Sequence, residues 1–327
     1  MSRVAAGLDR LLDVAVLPGY TRLGSGLRRR GWDVDDPAPG SLTGRRVLVT
    51  GAAGGMGEAI ARGCVALGAT THLLVRSPER GAPAAERIRA AAGSGAGSVE
   101  VEVCDVSDLD AVREFAADFS VRHPGAPVHG IVHNAGVLPA ERATSAQGHE
   151  LTLATHVLGP VLLTELLRPH LRAAGDARVV LVSSGGMYTQ PLVPDDLEYT
   201  RGRYRGAVAY ARSKRLQVEL AGALQDRWGA EGVRVWTMHP GWVRTPGVSS
   251  SLPGFARVTG PLLREPEDGA DTAVWLEATA TPPPGGTFVH DRRARPTEHP
   301  LGPRVADAGR EAARSWLWRT LQLDADA

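Results

Sequence analysis

From residue 45 onward, short apolar runs alternate with amphipathic stretches of helical length, and this alternation constrains the fold more than any other feature. The runs cover 46–50 (RVLVT), 70–75 (TTHLLV), 99–104 (VEVEVC), 128–133, 178–183 (RVVLVS) and 233–238 (VRVWTM). Between them the spacing predicts helices over 58–67, 84–92, 109–122, 150–173 and 210–228. Strands alternating with helices predict βαβ units. Right-handed crossovers would join these units into one parallel sheet. The near-continuous apolar strands require cover on both faces. The expected class is therefore α/β, a doubly wound parallel sheet in three αβα layers. It forms a single domain over 45–290, preceded by an extension, 1–44, and followed by a tail, 291–327.

The flanks carry weaker signals. Leu8, Leu11, Leu12 and Val16 stand at helical spacing, followed by Pro18-Gly19 and then Arg28-Arg29-Arg30. One reading is a helix packed on the domain with a solvated charge run. The other is an amphipathic segment making peripheral contact with a membrane surface. The acids among its bases favour the first. Pro37-Ala38-Pro39-Gly40 reads as a linker. Residues 185–207 read as a long irregular insertion, a kind of loop that is usually functional or mobile. In the tail, Trp316, Leu317 and Leu321 are spaced for a short helix.

Composition excludes several classes. The 327 residues include 37 basic and 36 acidic side chains, for a net charge of +1. That balance excludes a nucleic-acid partner held by a strong basic field. Cys64 and Cys104 make no disulfide framework, which points to a reducing compartment. No apolar run approaches the ~20 residues that span a bilayer. Asp9, Arg10 and Asp13 interrupt the apolar stretch 8–17, so no secretory signal is expected and the expected location is the cytoplasm. No Cys/His cluster has zinc-ligand spacing, and no catalytic metal is expected. Lys214 is the only lysine, and Asn134 the only asparagine. A composition that has drifted away from both types marks these two positions as chemically hard to replace.

The first strand runs directly into Thr50-Gly51-Ala52-Ala53-Gly54-Gly55-Met56-Gly57. Gly51 permits a tight turn, while Gly55 and Gly57 permit close approach of a pyrophosphate and of the sheet. The helix N-terminus favours the anion. A glycine string that follows a strand and opens a helix is the context of a Rossmann-type dinucleotide site. About 20 residues beyond this turn an NAD-binding chain usually carries an acid. Here the second strand ends in Arg76, whose planar fork suits a 2′-phosphate. NADP(H) is therefore the preferred cofactor, and NAD(H) served by Glu79 is the alternative.

Five motifs stand in one order: TGAAGGMG at 50–57, HNAG at 133–136, VSSGG at 182–186, YARSK at 210–214 and HPGWVRT at 239–245. Together they resemble the short-chain dehydrogenase/reductase family over roughly 45–290. The long serine-to-tyrosine spacing is similar to its retinol-dehydrogenase-like branch. SSGGM, MHPGW and the pair Asp291-Arg292 resemble a member-12-like subgroup. The resemblance implies hydride transfer between a nicotinamide and a small-molecule carbonyl or alcohol. It also implies cofactor contacts at Thr50, Gly51, Gly55, Met56, Gly57, Asp105, Val106, Asn134, Ala135, Gly136, Pro240, Gly241, Val243 and Thr245. Ser107, two residues after Asp105, is the expected cap of the next helix.

The residues support the same chemistry. Tyr210 and Lys214 are four apart and share one helix face. A tyrosine with a pKa of about 10 is a poor base near neutrality, and a nearby ammonium is expected to lower that value. Tyr210 then exchanges a proton with the substrate oxygen. The resemblance gives Lys214 a second role, on the nicotinamide ribose. Ser184 holds the substrate carbonyl, with Ser183 the open alternative. In the family an asparagine completes the catalytic set and holds a relay water. His156 stands at that place, either holding the water as a neutral ring or titrating and imposing a pH dependence. Residues 246–265, with Val248, Leu252, Phe255 and Val258, and Met187 and Tyr188 in the insertion, suggest a lipophilic substrate. Self-association through the helices 150–173 and 210–228 is a further expectation. The competing function is a nucleotide-binding protein that keeps the fold without turnover.

Overall fold

The computed structural model describes residues 7, 9, 12–244 and 260–324. Residues 12–14 are helical, and the short helices α1 (Leu17–Tyr20) and α2 (Arg22–Arg29) follow them before β1 (Arg46–Thr50). Then follow α3 (Gly55–Ala66), β2 (Thr70–Val75), α4 (Pro78–Ala91), β3 (Ser98–Val103), α5 (Leu109–Arg122) and β4 (Gly130–His133). The next crossover is α6 (Leu151–Leu153), a π-helical turn (Ala154–Leu158), α7 (Gly159–Leu166) and α8 (Arg168–Ala174). The second half holds β5 (Ala177–Val182), α9 (Gly206–Gly229), β6 (Val233–His239), α10 (Pro266–Ala278), β7 (Phe288–His290), β8 (Arg293–Arg295) and α11 (Asp307–Leu321).

Among the described residues these strands form one sheet in the order β3-β2-β1-β4-β5-β6-β7-β8. All pairings are parallel except β7–β8. The two faces follow from the period-2 alternation of apolar strand residues. Leu48, Ile131, Val179, Leu181 and Val235 pack against α5, α7 and α9 in one core. Val47, Val49, Val132, Val180, Val182, Trp236 and Met238 pack against α3, α4 and α10 in the other. The sheet reverses its winding at β1/β4, and ligands of doubly wound sheets bind at the carboxyl ends beside such a point.

β1 and β2 occupy the expected residues, and β3 and β5 start one residue early. Four differences have local causes. α3 begins inside the glycine turn. α4 begins six residues early, because Pro78 at the helix start is preorganised and Pro83 is tolerated within it. The helix expected over 150–173 is interrupted by the π-helical turn and by a break at Leu167. α10, β7 and β8 carry no clear period and were not expected. In the insertion, a 3-10 turn spans Gly185–Thr189.

The flanks are held by the sheet region. Arg28 is buried rather than solvated, because it pairs with Asp9, Asp13 and Asp291. Arg29 and Arg30 stay exposed. Asp36, beside the expected linker, accepts bonds from Trp275 Nε1 and Thr279 Oγ1. In α11, Leu317 and Leu321 pack with Leu220, Leu224 and Trp228 of α9. Leu8, Leu11, Thr245, Val248, Leu252, Phe255 and Val258 lie outside the described residues. No helix among the described residues is long and apolar enough to cross a membrane.

Candidate active site

The carboxyl ends of β1, β4, β5 and β6 converge on the N-terminal part of α9. At β1 the chain turns through Gly51 and Gly55, both at positive φ (68° and 56°). A Cβ on Gly51 would come within 2.8 Å of Ala135 Cα, and one on Gly57 within 2.4 Å of Gly51 O. The N-terminus of α3 has no side-chain cap, leaving its N–H groups for an anion. This cradle fits a dinucleotide phosphate.

Some expected cofactor residues also act as supports. Thr50 is buried, and its hydroxyl accepts the N–H groups of Asn134 and Ala135, each at 3.0 Å. The side chain of Asn134 returns a bond to Thr50 O at 3.1 Å. This reciprocal tie locks β1 to β4 and leaves the Thr50 hydroxyl its one O–H to donate. Asp105 turns back on its own loop, accepting both the N–H and the hydroxyl of Ser107. Asp108, not Ser107, caps α5, because its carboxylate reaches the N–H groups of Asp110 and Ala111. Val106 is buried beneath Gly159, whose Cβ would clash with Val106 O. Met56 and Val243 both pack near Gly269 of α10. Arg76 is exposed just beyond β2, with no hydrogen-bond or ion-pair partner among the described residues. Glu79 is engaged locally, held below the usual carboxylate range by its own backbone N–H and by Ser77.

The geometry separates the two serines. Ser183 is buried and its hydroxyl donates to the carbonyl of Lys214 at 2.9 Å. Ser184 is half-buried, accepts the N–H of Gly186 at 3.2 Å and lies close enough to Tyr210 to draw its phenol pKa down. One helical turn on, Lys214 Nζ lies 5.6 Å from the Tyr210 ring centroid and donates to Val182 O at 2.7 Å. Burial moves both groups against their charged forms. The Lys214 ammonium falls to about 7. The Tyr210 phenol is raised by burial, and only the Ser184 bond pulls it down. Desolvation rather than the ammonium sets the direction of the shift, since Lys214 is aimed at a carbonyl rather than at the phenol oxygen.

His156 departs furthest from expectation. It is fully buried in the π-helical turn. Its Nε2 accepts the N–H of Val137 at 3.1 Å, so the proton sits on Nδ1, which meets Ser213 Oγ at 2.8 Å. Ser213 Oγ in turn donates to Tyr210 O at 2.8 Å. Both ring nitrogens are therefore committed to protein groups and neither is left for a relay water. Burial first, and then Lys214, hold its pKa well below the ordinary value, so it does not titrate near neutrality.

Residues 45–253 match the family model described as short chain dehydrogenase. The chain belongs to the short-chain dehydrogenase family. It is accordingly an NAD(P)-dependent oxidoreductase. It is similar to dehydrogenase/reductase SDR family member 12 of Bos taurus, with 38% identity over 82% of this chain and 83% of the relative. It is also similar to retinol dehydrogenase 12 of Homo sapiens, with 32% identity over 76% and 78% of the two chains. A solved metagenomic short-chain oxidoreductase in complex with NADP superposes with a TM-score of 0.57. It shares 26% identity over 76% of this chain and 98% of that one.

Motif spacing misses several residues of this short-chain dehydrogenase site. Ser213 lies between Tyr210 and Lys214 but signals nothing by itself. His239, at the end of β6, accepts the N–H groups of Gly185 (3.0 Å) and Gly241 (3.3 Å) through Nδ1. Tyr20 packs its ring on His239, with centroids 4.4 Å apart. A further cluster, His72, Glu100, Glu102 and His123, has ligand atoms within 4.8 Å of one another. It is an ion-pair network: Arg122 holds both oxygens of Glu102, and Arg46 Nε donates to His72 Nε2.

Proposed function

We propose that this short-chain dehydrogenase uses NADP(H) to interconvert a lipophilic ketone or aldehyde and its alcohol. The single observation that carries the reading is Lys214 Nζ, 5.6 Å from the Tyr210 ring and bonded at 2.7 Å to Val182 O, two residues before Ser184. When bound, the nicotinamide supplies or accepts the hydride. Ser184 orients the substrate oxygen, and Tyr210 moves the proton at that oxygen. Lys214 would meet the ribose, and its pKa of about 7 makes its charge responsive to what binds beside it. Gly51, Gly55 and the α3 N-terminus would hold the pyrophosphate, with Gly136, Pro240 and Gly241 flanking the nicotinamide side. Arg76 would take the 2′-phosphate; its freedom and the local engagement of Glu79 support NADP(H) over NAD(H). The likeness to a retinol dehydrogenase supports a lipophilic substrate.

In this reading residues 45–290 carry the reacting groups, with 1–44 and 291–327 as supports. We place its action in the cytoplasm, a reading that rests on the two unpaired thiols. The face of α9 around Leu220 and Trp228 is covered by α11, which works against self-association through that face. The test is turnover of a panel of lipophilic ketones and aldehydes with NADPH and NADH. Tyr210→Phe is expected to lower kcat by about 100-fold or more while NADPH still binds. A Tyr210→Phe protein as active as a surface variant would sink the assignment.

A further inference from the structure

A carbonyl pair and a ring from the N-terminal segment reach the back of the active site. Tyr20 O accepts the N–H of Trp242 at 2.7 Å and Arg264 Nε at 3.1 Å. Gly19 O accepts Arg264 Nη2 at 3.1 Å and Arg28 Nη1 at 3.0 Å. Arg264 also donates to Pro240 O at 3.3 Å and pairs with Asp291, which Arg28 engages from the other side at 2.8 Å. Gly241 must be glycine here: its φ is +81° and a Cβ would lie 2.3 Å from Arg264 Nε. The backbone of Arg264 bonds that of Trp242 and of Arg244. The nicotinamide-side loop, 240–244, is thus tied on one edge to Arg264 and, through Arg264, to Gly19 and Tyr20.

The Tyr20 ring reaches the other half of the site. A Cβ on Gly185, the residue after Ser184, would lie 2.7 Å from Tyr20 Cε2 and 2.8 Å from His239 Nε2. His239 Nδ1 binds the N–H groups of both Gly185 and Gly241. One imidazole therefore couples the serine corner to the nicotinamide-side loop, and Tyr20 is the wall that holds this imidazole edge-on. Tyr20 is 4% exposed and Arg264 1% exposed, so neither contact is a surface accident.

We propose that Gly19 and Tyr20 are part of the active-site scaffold, with Tyr20 and Arg264 as positioning residues that set Ser184 and the 240–244 loop relative to each other. Neither touches the reacting atoms. The inference rests on the assignment of Ser184 and Tyr210 above. Its energetic logic is that of preorganisation: small misplacement of an orienting group lowers the rate of the reacting step more than binding.

The test uses the full chain carrying Tyr20→Phe and Tyr20→Ala. Tyr20→Phe keeps the ring and the backbone carbonyl, and is expected to match the wild type within about twofold in kcat. Tyr20→Ala is expected to lower kcat about tenfold while still binding one NADPH per chain. Its basic limb in the pH profile should move to higher pH, since a displaced Ser184 no longer pulls the phenol down. Amide exchange at Gly185 and Trp242 should accelerate in Tyr20→Ala and not in Tyr20→Phe. Wild-type kcat, pH profile and exchange in Tyr20→Ala would overturn the proposal. So would a kcat that falls only in step with bound NADPH at an unchanged pH profile, because that is loss of folded protein. If Tyr20→Ala does not fold, Tyr20→Leu carries the same readouts. Absence of any wild-type turnover would overturn the functional reading instead, and the exchange rates alone would then decide the scaffold role.

Discussion

His156 Nε2 accepts the backbone N–H of Val137 at 3.1 Å, joining the strand-end segment after Asn134 to the helix crossover beneath Tyr210. The ring stands edge-on to Tyr210 at 5.3 Å and reaches the Tyr210 carbonyl through Ser213. Removing it leaves the part-buried Val137 N–H without its acceptor and takes away the ring contact of Ser213 Oγ, which keeps its bond to Tyr210 O. His156→Ala is expected to cost roughly 2–3 kcal/mol in urea unfolding. Because the ring does not titrate near neutrality, the wild-type pH–rate profile should show no limb of its own from His156. A limb near 6.5 that vanishes in His156→Asn would show that the ring does exchange protons.

The two adjacent serines should separate in kinetics. Ser184→Ala removes the group beside the phenol, so kcat should fall by about 10- to 100-fold with thermal stability nearly unchanged. Ser183→Ala removes a buried bond to the Lys214 carbonyl, so unfolding free energy should fall by about 1 kcal/mol with a smaller kcat effect. Steady-state kinetics and denaturant titrations on both variants decide it. A larger kcat loss in Ser183→Ala would reverse the assignment.

How far the sequence is legible depends on whether a signal is local. β1 and β2 coincide with the expected residues because their β-branched runs are bounded by turn residues. The tight turn at Gly51 is read directly, since only glycine suits its positive φ and its approach to Ala135. Ser184, Tyr210 and Lys214 meet because one strand end and one helical turn carry them. What stays hidden is long-range: the hydroxyl of Thr50 is claimed by residues 84 and 85 positions away, and the carbonyl of Tyr20 by a guanidinium 244 positions away. Desolvation is equally invisible, and it reverses the expected shift of Tyr210. The arginine run at 28–30 looks solvated in sequence, yet three distant carboxylates bury its first member.

Arg76 gives a direct test of cofactor preference. It is exposed at the end of β2 and has no partner among the described residues. Arg76→Glu places a charge that repels a 2′-phosphate and suits a 2′-hydroxyl. KM for NADPH should rise by about tenfold or more, equivalent to about 1.4 kcal/mol, while KM for NADH is unchanged or lower. Unchanged KM values for both cofactors would place the 2′ end elsewhere.

Acid should unfold this protein through its buried histidines. Burial holds His133 near 3 and His290 near 4, and holds His156 and His239 well below the ordinary value. In the unfolded chain each titrates near 6.5. Below that pH the unfolded state binds more protons than the folded state, so stability falls as pH drops. The window for His133 runs from about 6.5 down to about 3, with a slope of about 1.4 kcal/mol per pH unit once the unfolded ring is protonated. Glu277 acts in the opposite sense. Burial raises its carboxyl to about 8, so its contribution is present at low pH and is lost as pH rises from 4.5 through 8. With four histidines against this one carboxyl, stability should rise between pH 4.5 and 6.5. His133→Gln removes one titrating ring while keeping a group able to bond Thr164 Oγ1, which His133 Nε2 meets at 2.8 Å. Its unfolding free energy should depend on pH less steeply than that of the wild type, by about one proton between pH 4 and 6. Denaturant titrations across that range measure the slope, and equal slopes in the two proteins would mean that His133 is protonated in the folded state.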